Sequence, residues 1–248
     1  MSFIKDFYKE VKDVYNSIYK YLRFFLVLLL FLISSTFKLI PIYLLNIDTN
    51  NINPHINAGL TLFSNIILIL IFIFLYRKEI IKQFKTLKKL KKEKLIIILD
   101  TAFRYWLIGL IIMIVSNFII NKLGIGSSAN DVSVSSMLEK TPIIAGLSVI
   151  IFGPFVEEMV FRMAFKDVFN KKIVFILVSG IIFGSLHVIG VVTNIYELLY
   201  LIPYCSLGLA FAAIYDYSDN IFISYLIHLL HNSLTAITTF LLAGVILW

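Results

Sequence analysis

Two glutamates and an arginine lie inside a long apolar stretch of the sequence. Glu157, Glu158 and Arg162 fall within residues 143–165, a run that as a helix would be about 35 Å long and could cross a bilayer core. Ionisable side chains at such depth cost about 2.5–3.5 kcal/mol each and face a partner or a wet cavity. Glu158 and Arg162 can pair four residues apart, which leaves Glu157 for another task. A structural ion pair with a spare carboxylate is the alternative.

Three of the four histidines also lie in apolar stretches, in the last third of the chain. His187 comes four residues after Phe183. His228 and Asn232 share one helix face, whereas His231 points well away and is not expected in the same site. A single intramembrane histidine commonly bonds one helix to another. Two histidines, an asparagine and an unpaired glutamate on three spans supply the parts that activate water and stabilise an oxyanion.

Two hydrolytic chemistries use these parts. In the first, Glu157 takes a proton from water with the help of His187, while His228 and Asn232 stabilise the oxyanion. In the second, Glu157, His187 and His228 bind zinc, which lowers the pKa of its water to about 7. The sequence lacks the His-Glu-x-x-His motif of zinc peptidases. It also lacks the Gly-x-Ser-x-Gly elbow of serine hydrolases, so Ser185 has no assigned role. We therefore expect either no cofactor or zinc.

The composition indicates the class of protein that holds these residues. Of 248 residues, 60% are hydrophobic, and the mean hydropathy of +0.93 is too high for a soluble domain. The sequence predicts an all-α, polytopic transmembrane helix bundle of about seven to eight spans in the cell membrane. With Cys205 as the single cysteine, no intrachain disulfide can form.

The apolar blocks predict where the spans lie. Residues 1–23 read as an amphipathic helix at the cytoplasmic face, and residues 24–248 as a single membrane domain. Segment 122–142 reads as a flexible outer loop, and Gly153-Pro154 should loosen the fourth span and free backbone carbonyls. The last span either continues to Trp248 or breaks near Gly244 into an eighth piece. The predicted spans are about 24–45, 58–76, 95–120, 143–165, 173–192, 196–215 and 221 onwards.

These boundaries do not place the candidate residues at one level. Counted along ideal helices, Glu157 and His228 lie roughly 10–12 Å from the cytoplasmic side and His187 roughly 20 Å. Tilt, the Gly153-Pro154 break or errors of a few residues in the boundaries would have to remove that difference.

The formal charge of +7 is concentrated in one segment. Residues 77–94 contain nine basic and two acidic residues. The positive-inside rule places this segment, a short loop at 166–172 and the amino terminus in the cytoplasm. No folded basic domain exists to bind nucleic acid, so the expected partners are the lipid bilayer and a membrane-associated peptide.

Three motifs, in order and on separate spans, resemble the signature of the CPBP intramembrane proteases. That family contains the CAAX prenyl endopeptidases and the bacteriocin-processing or immunity proteins also called ABI proteins. The resemblance covers about residues 140–240. Its motifs are Glu157-Glu158-x-x-x-Arg162, Phe183-x-x-x-His187 and His228-x-x-x-Asn232.

The resemblance implies a role for each motif residue. Glu157 would activate water with His187 as its partner, and His228 and Asn232 would line the oxyanion site. The motif suits a glutamate mechanism or a metal, and we favour the glutamate mechanism slightly. The supporting residues would be Glu158, Arg162 and Phe183, with the first two holding the fold or tuning Glu157.

The leading hypothesis is therefore an intramembrane endopeptidase. Its substrate would be a membrane-associated peptide or protein of the prenyl-protein, peptide-pheromone or bacteriocin-precursor type. One alternative is a non-catalytic immunity or peptide-binding membrane protein. Another is a transporter that uses the buried charges as an ion relay, which inverted repeats would favour, and the sequence shows none.

Overall fold

The chain folds into a bundle of helices. The structure, a computed structural model, describes residues 2–192 and 194–242, with side chains from residue 7 to 241 except those of residues 9 and 193. About 86% of it is helical, with ten helices and no strand within those residues. The predicted all-α class is confirmed. In chain order the helices are α1 Ser2–Leu32, α2 Leu39–Leu44, α3 Pro54–Leu75, α4 Arg77–Lys88, α5 Lys92–Lys122, α6 Ala129–Lys140, α7 Pro142–Val168, α8 Lys172–Leu186, α9 Leu201–Ser218 and α10 Ile221–Leu242.

Six of these helices are long and apolar enough to cross a membrane: α1, α3, α5, α7, α9 with the 3-10 turn Ile195–Tyr200 that precedes it, and α10. Helix α8 is also apolar but has 15 residues. The seven together agree with the lower end of the predicted seven to eight spans. The eighth piece predicted near Gly244 lies outside the described residues.

The first predicted span is not one helix. Helix α1 passes without a break through the predicted boundary at residue 23 and ends at Leu32. A 3-10 turn, Ser34–Lys38, then leads into the short α2. The Thr36 hydroxyl donates to the Ile33 carbonyl over 2.7 Å. Such a local side-chain bond competes with the helical backbone pattern, and this explains why an apolar run from 24 to 45 is interrupted.

Two further boundaries differ from the prediction. The segment expected to be a flexible outer loop contains α6, because Ser128 caps its start by accepting from the backbone N–H of Asp131 over 3.0 Å. Helix α8 ends at Leu186 instead of near Val192, and the N–H of His187 bonds to the Gly184 carbonyl in a tighter turn. His187 therefore lies at a helix end.

Helices α8 and α9 pack closely together because glycines face the interface between them. A Cβ added to Gly180 would lie 2.6 Å from the backbone nitrogen of Leu209, and one added to Gly184 would lie 2.5 Å from that of Cys205. No side chain fits at such distances. The four-residue spacing of these small residues predicts this close contact.

A charged network closes the end of the bundle that carries α4. Arg23 is 5% exposed, and its guanidinium bonds to Glu79 and Asp167, each over 2.7 Å. The Tyr76 hydroxyl donates to the same Asp167 carboxylate over 2.9 Å. The network joins α1, α3, α4 and α7 where the first membrane helices meet the basic segment.

Candidate active site

Glu158 is fully buried, and both of its carboxylate oxygens are occupied. Its Oε2 lies 3.3 Å from Nε of Arg162 on the same helix and also accepts from the Ser224 hydroxyl on α10. Its Oε1 lies 3.0 Å from Nδ1 of His228. Burial of a carboxylate is tolerated when charge and hydrogen bonds compensate it in this way. Glu158 therefore joins α7 to α10 from inside the bundle.

Arg162 extends the same cluster toward α8. The side chain is fully buried, and its Nη1 donates to the Ser179 hydroxyl over 2.6 Å. Ser179 in turn donates to the Phe161 carbonyl. The guanidinium carbon lies 5.0 Å from the centre of the Phe183 ring, a cation–π contact. The buried ion pair therefore contacts Phe183 on α8.

Glu157, the neighbouring residue, is placed differently. Its side chain is 24% exposed, and Oε2 lies 3.6 Å from Nε2 of His228. That distance is too long for a direct hydrogen bond. Glu157 lines a cavity of about 480 Å³, so of the two glutamates it is the one that can reach a ligand.

His228 lies between the two carboxylates. Nδ1 faces Glu158 and Nε2 faces Glu157. The ring is 3% exposed and stacks on Phe211, with 4.3 Å between ring centroids and 21° between planes. The Phe183 ring makes an edge-to-face contact with His228, with 5.7 Å between the ring centroids. Carboxylate oxygens can only accept, so the Glu158 contact requires a proton on Nδ1 of His228.

His187 reaches the same cavity from the end of α8. Its Nδ1 lies 2.9 Å from the Phe183 carbonyl, which can only accept, so Nδ1 carries the proton and Nε2 is left with a lone pair. The ring stacks on Tyr204, 5.2 Å between centroids and 21° between planes. His187 and Glu157 line one cavity but form no direct hydrogen bond with each other.

Asn232 is fixed by a backbone carbonyl that Pro154 leaves free. Helix α7 has π-helical turns at Leu147–Phe152, where the N–H of Gly153 bonds to the Ser148 carbonyl. The next donor in this i to i+5 register would be Pro154, which has no N–H. The Val149 carbonyl instead accepts from Nδ2 of Asn232 over 2.8 Å. The prediction that Gly153-Pro154 frees a carbonyl near the glutamates is confirmed.

The cavity also includes residues that the motifs do not predict. His231 lines it, contrary to the expectation that it lies apart from His228. The indole N–H of Trp106 points to Nδ1 of His231 over 3.4 Å. Tyr204 is likewise part of the wall, and its hydroxyl donates to Asp131 over 2.7 Å. Contacts between residues 73 or 125 positions apart leave no periodic signal in a sequence.

The three predicted zinc ligands, Glu157, His187 and His228, line the same cavity. Nδ1 of His228 faces Glu158 and Nδ1 of His187 faces the Phe183 carbonyl, which leaves Nε2 of each ring toward other groups. Within the described part of the chain, no group of three or more His, Cys, Asp or Glu side chains lies close enough together to hold a metal ion. Zinc binding stays a prediction, and no step proposed below passes through a metal.

Comparison with known proteins bears on the same region. Residues 139–234, which include all three motifs, match the family described as "Type II CAAX prenyl endopeptidase Rce1-like". Over 118 residues the chain is 30% identical to "Putative membrane peptidase YdiL" of Bacillus subtilis (strain 168), a match that covers 46% of this chain and 45% of that protein. Over 171 residues it is 28% identical to "UPF0177 protein YxdF" of Lactococcus lactis subsp. lactis (strain IL1403), covering 66% and 86% of the two chains. No solved structure matches.

Proposed function

We propose that this chain, which is of the CPBP type by its motifs and its matched core, is an intramembrane endopeptidase that uses Glu157 as its base. The observation that carries the proposal is the contrast between two adjacent carboxylates. Glu158 is fully buried and bonded on both oxygens, whereas Glu157 is partly exposed to a cavity. That cavity also holds His187, His228 and Asn232.

Water activation needs an acceptor beside the water molecule. A Glu157 carboxylate oxygen takes one proton from water in the cavity, and the resulting hydroxide forms a bond to the carbonyl carbon of the peptide. Nε2 of His187 accepts the other water proton as a hydrogen bond, because Nδ1 is held by the Phe183 carbonyl. A positioned base of this kind contributes roughly 10²–10⁴-fold in rate.

The oxyanion that forms needs hydrogen-bond donors. One N–H of the Asn232 amide is used by the Val149 carbonyl, and the other is free to donate. His228, whose Nδ1 faces Glu158, donates from Nε2 when both of its nitrogens carry a proton. Each donor is worth roughly 10²–10³-fold. The carbon–nitrogen bond then breaks, and the proton held by Glu157 passes to the leaving amine.

The test compares peptide termini in cells that produce the wild type, Glu157→Gln or Glu139→Gln. Glu139 is an exposed carboxylate on α6 that does not line the cavity, so its variant controls for the same chemical change. We expect new termini with the wild type and with Glu139→Gln, and none with Glu157→Gln. His187→Ala should give the same loss. Cleavage retained by both Glu157→Gln and His187→Ala would refute the proposal.

A second arm of the experiment examines the metal alternative. The cells or membranes are treated with a zinc chelator, and the fold is checked by the protease resistance of the protein. Under the glutamate mechanism, the termini persist. A phenotype that survives Glu157→Gln without any change in termini would instead support a peptide-binding or immunity role.

A further inference from the structure

We infer that the cavity takes its peptide from the membrane face opposite the basic helix α4, which makes the substrate an extracytoplasmic peptide segment. That this peptide is a substrate rests on the function proposed above. The side on which the cavity opens is a property of the fold and can be measured without any cleavage.

The cavity lies at one end of the bundle. Its wall includes Thr61 in the first half of α3, Asn117 near the end of α5, Ser135 on α6 and Thr235 in the second half of α10. Helix α3 runs toward α4, and α5 runs away from it. These positions therefore lie on the side remote from α4. Among the residues that the structure describes, none that lines the cavity belongs to α1, α2 or α4.

The opposite end is closed by polar contacts. Besides the Arg23 network, Lys166 bonds to Asp216 where α7 and α9 end. The side-chain oxygen of Gln83 on α4 accepts from the N–H of Ile221 over 2.8 Å, and the backbone carbonyl of Gln83 accepts from Nδ2 of Asn220 over 3.0 Å. These bonds join α4 to the start of α10. A peptide approaching from this side meets bonded side chains instead of an opening.

The length of α8 also indicates that the cavity is reached from the face remote from α4. Helix α8 starts at Lys172, near the α4 end, and its 15 residues span about 22 Å, less than the roughly 30 Å of a bilayer core. The α-helix thus ends, at His187, below the far surface. Irregular backbone at such depth is tolerated where it is buried in protein or lines a water-filled cavity. Water therefore reaches His187 from the face remote from α4.

Charge distribution assigns the two faces. Residues 77–94 carry nine basic and two acidic residues, whereas the segments at the other end (33–53, 121–141 and 187–200) carry three basic and four acidic residues. By the positive-inside rule α4 is cytoplasmic. The cavity then opens to the outside of the cell.

The polar groups in the cavity wall fit a peptide backbone. Oδ1 of Asn117 and Oγ of Ser148 are buried and have no hydrogen-bond partner among the described residues. Ser148 is 4% exposed, and both side chains line the cavity. An extended peptide offers N–H donors and carbonyl acceptors at every residue, so it can satisfy such groups. We assign Asn117 and Ser148 to binding of the peptide segment.

The first experiment measures accessibility with single cysteines. In a Cys205→Ser background, cysteine replaces Ser135 at the cavity wall, Ser133 on the exposed side of α6, or Thr86 on the exposed side of α4. Intact cells are treated with a membrane-impermeant maleimide. We expect Ser133→Cys and Ser135→Cys to react in intact cells, and Thr86→Cys only after permeabilisation.

Two results would overturn the inference. In one, Thr86→Cys reacts in intact cells while Ser133→Cys does not, which reverses the faces. In the other, Ser133→Cys reacts from outside but Ser135→Cys reacts under neither condition, which means that the cavity is closed on that side. Neither result depends on cleavage, so failure of the proposed function is recognised separately.

The second experiment links this opening to cleavage. Maleimide attached to Ser135→Cys from outside should lower the release of new termini at least tenfold relative to the same untreated protein, because it obstructs the cavity. Asn117→Leu and Ser148→Ala should lower cleavage while leaving the melting temperature unchanged or higher, since neither change removes an internal bond. Full cleavage after labelling, or a lowered melting temperature in both variants, would contradict the assignment.

Discussion

The buried pair of Glu158 and Arg162 gives the sharpest prediction about stability. Both side chains are fully buried, and the carboxylate also bonds to His228 and Ser224. Glu158→Gln keeps the size of the side chain but removes the charge that faces the guanidinium. Arg162 then remains as a buried cation without its counter-charge. Glu157→Gln is the matched change one residue away, at a side chain that makes no short hydrogen bond.

The expected difference between these variants is large. Breaking one partner of a buried ion pair costs about 3–5 kcal/mol, which lowers the folded-to-unfolded ratio by roughly two to four powers of ten. Glu157→Gln should change the free energy of unfolding by less than about 1 kcal/mol, since it loses no well-formed bond. The measurement is unfolding by SDS titration of detergent-solubilised protein. Buried Trp106, which contacts His231, serves as a fluorescence probe of unfolding.

A double variant separates the loss of the pair from an uncompensated charge. Glu158→Gln with Arg162→Met removes both charges, and neutral replacement of a buried pair is often tolerated. We therefore expect the double variant to be more stable than Glu158→Gln alone. If Glu158→Gln and Glu157→Gln unfold at the same SDS concentration, the buried pair does not stabilise the bundle. A double variant that is less stable than Glu158→Gln alone would also refute the reasoning.

Substitutions at Gly184 and Tyr204, with Gly59 as a control position, probe the packing around the site. Gly184→Ala should lower the free energy of unfolding by about 1–3 kcal/mol, because its Cβ would lie 2.5 Å from the backbone of α9. A Cβ at Gly59 would meet nothing within 4 Å, so Gly59→Ala should be neutral or stabilising by up to about 1 kcal/mol in the same SDS titration. Tyr204→Phe keeps the ring against His187 but loses the bond to Asp131, so termini should be released roughly 2–10-fold more slowly. Tyr204→Ala also loses the ring and should be slower still, and equal rates for the two variants would show that the ring does not position His187.

The local contacts of the site could be predicted because each motif contains a pair of residues four positions apart. Glu158 pairs with Arg162 over 3.3 Å, and the His187 ring bonds back to the Phe183 carbonyl over 2.9 Å. The period of an α-helix is enough to bring such residues onto one face. The apolar blocks predict the membrane class for an equally simple reason, since segments of such length have few alternatives to a bilayer.

The contacts between distant elements could not be predicted in this way. Ser224 bonds to Glu158 from 66 residues away, and Trp106 reaches His231 from 125. Helix α6 depends on the cap at Ser128, a weak signal within a Gly- and Ser-rich segment. These features arise from packing and from single hydrogen bonds, to which hydrophobic periodicity is insensitive.

The difference in depth predicted for Glu157, His228 and His187 arises from counting residues along ideal helices. Counted from the ends of their helices, Glu157 lies about 16 Å along α7 from Val168, and His228 about 10 Å along α10 from Ile221. Their side chains are nevertheless 3.6 Å apart. Helix ends thus do not lie in one plane, and counts of residues carry an error of several ångströms. The same count places His187 about 22 Å along α8. His187 nevertheless lines the same cavity as Glu157 and His228, so the predicted difference in depth is no larger than the error of the count.

Irregular backbone is what brings the catalytic candidates together. The π-helical segments Leu147–Phe152 and Met159–Ala164 flank the two glutamates on α7, and such segments are frequent at functional sites. Pro154 ends the first one with a free carbonyl that holds Asn232. Helix α8 contributes by ending early, since a longer helix would carry the chain after His187 toward the membrane surface. The site therefore depends on interruptions of helices in an otherwise regular bundle.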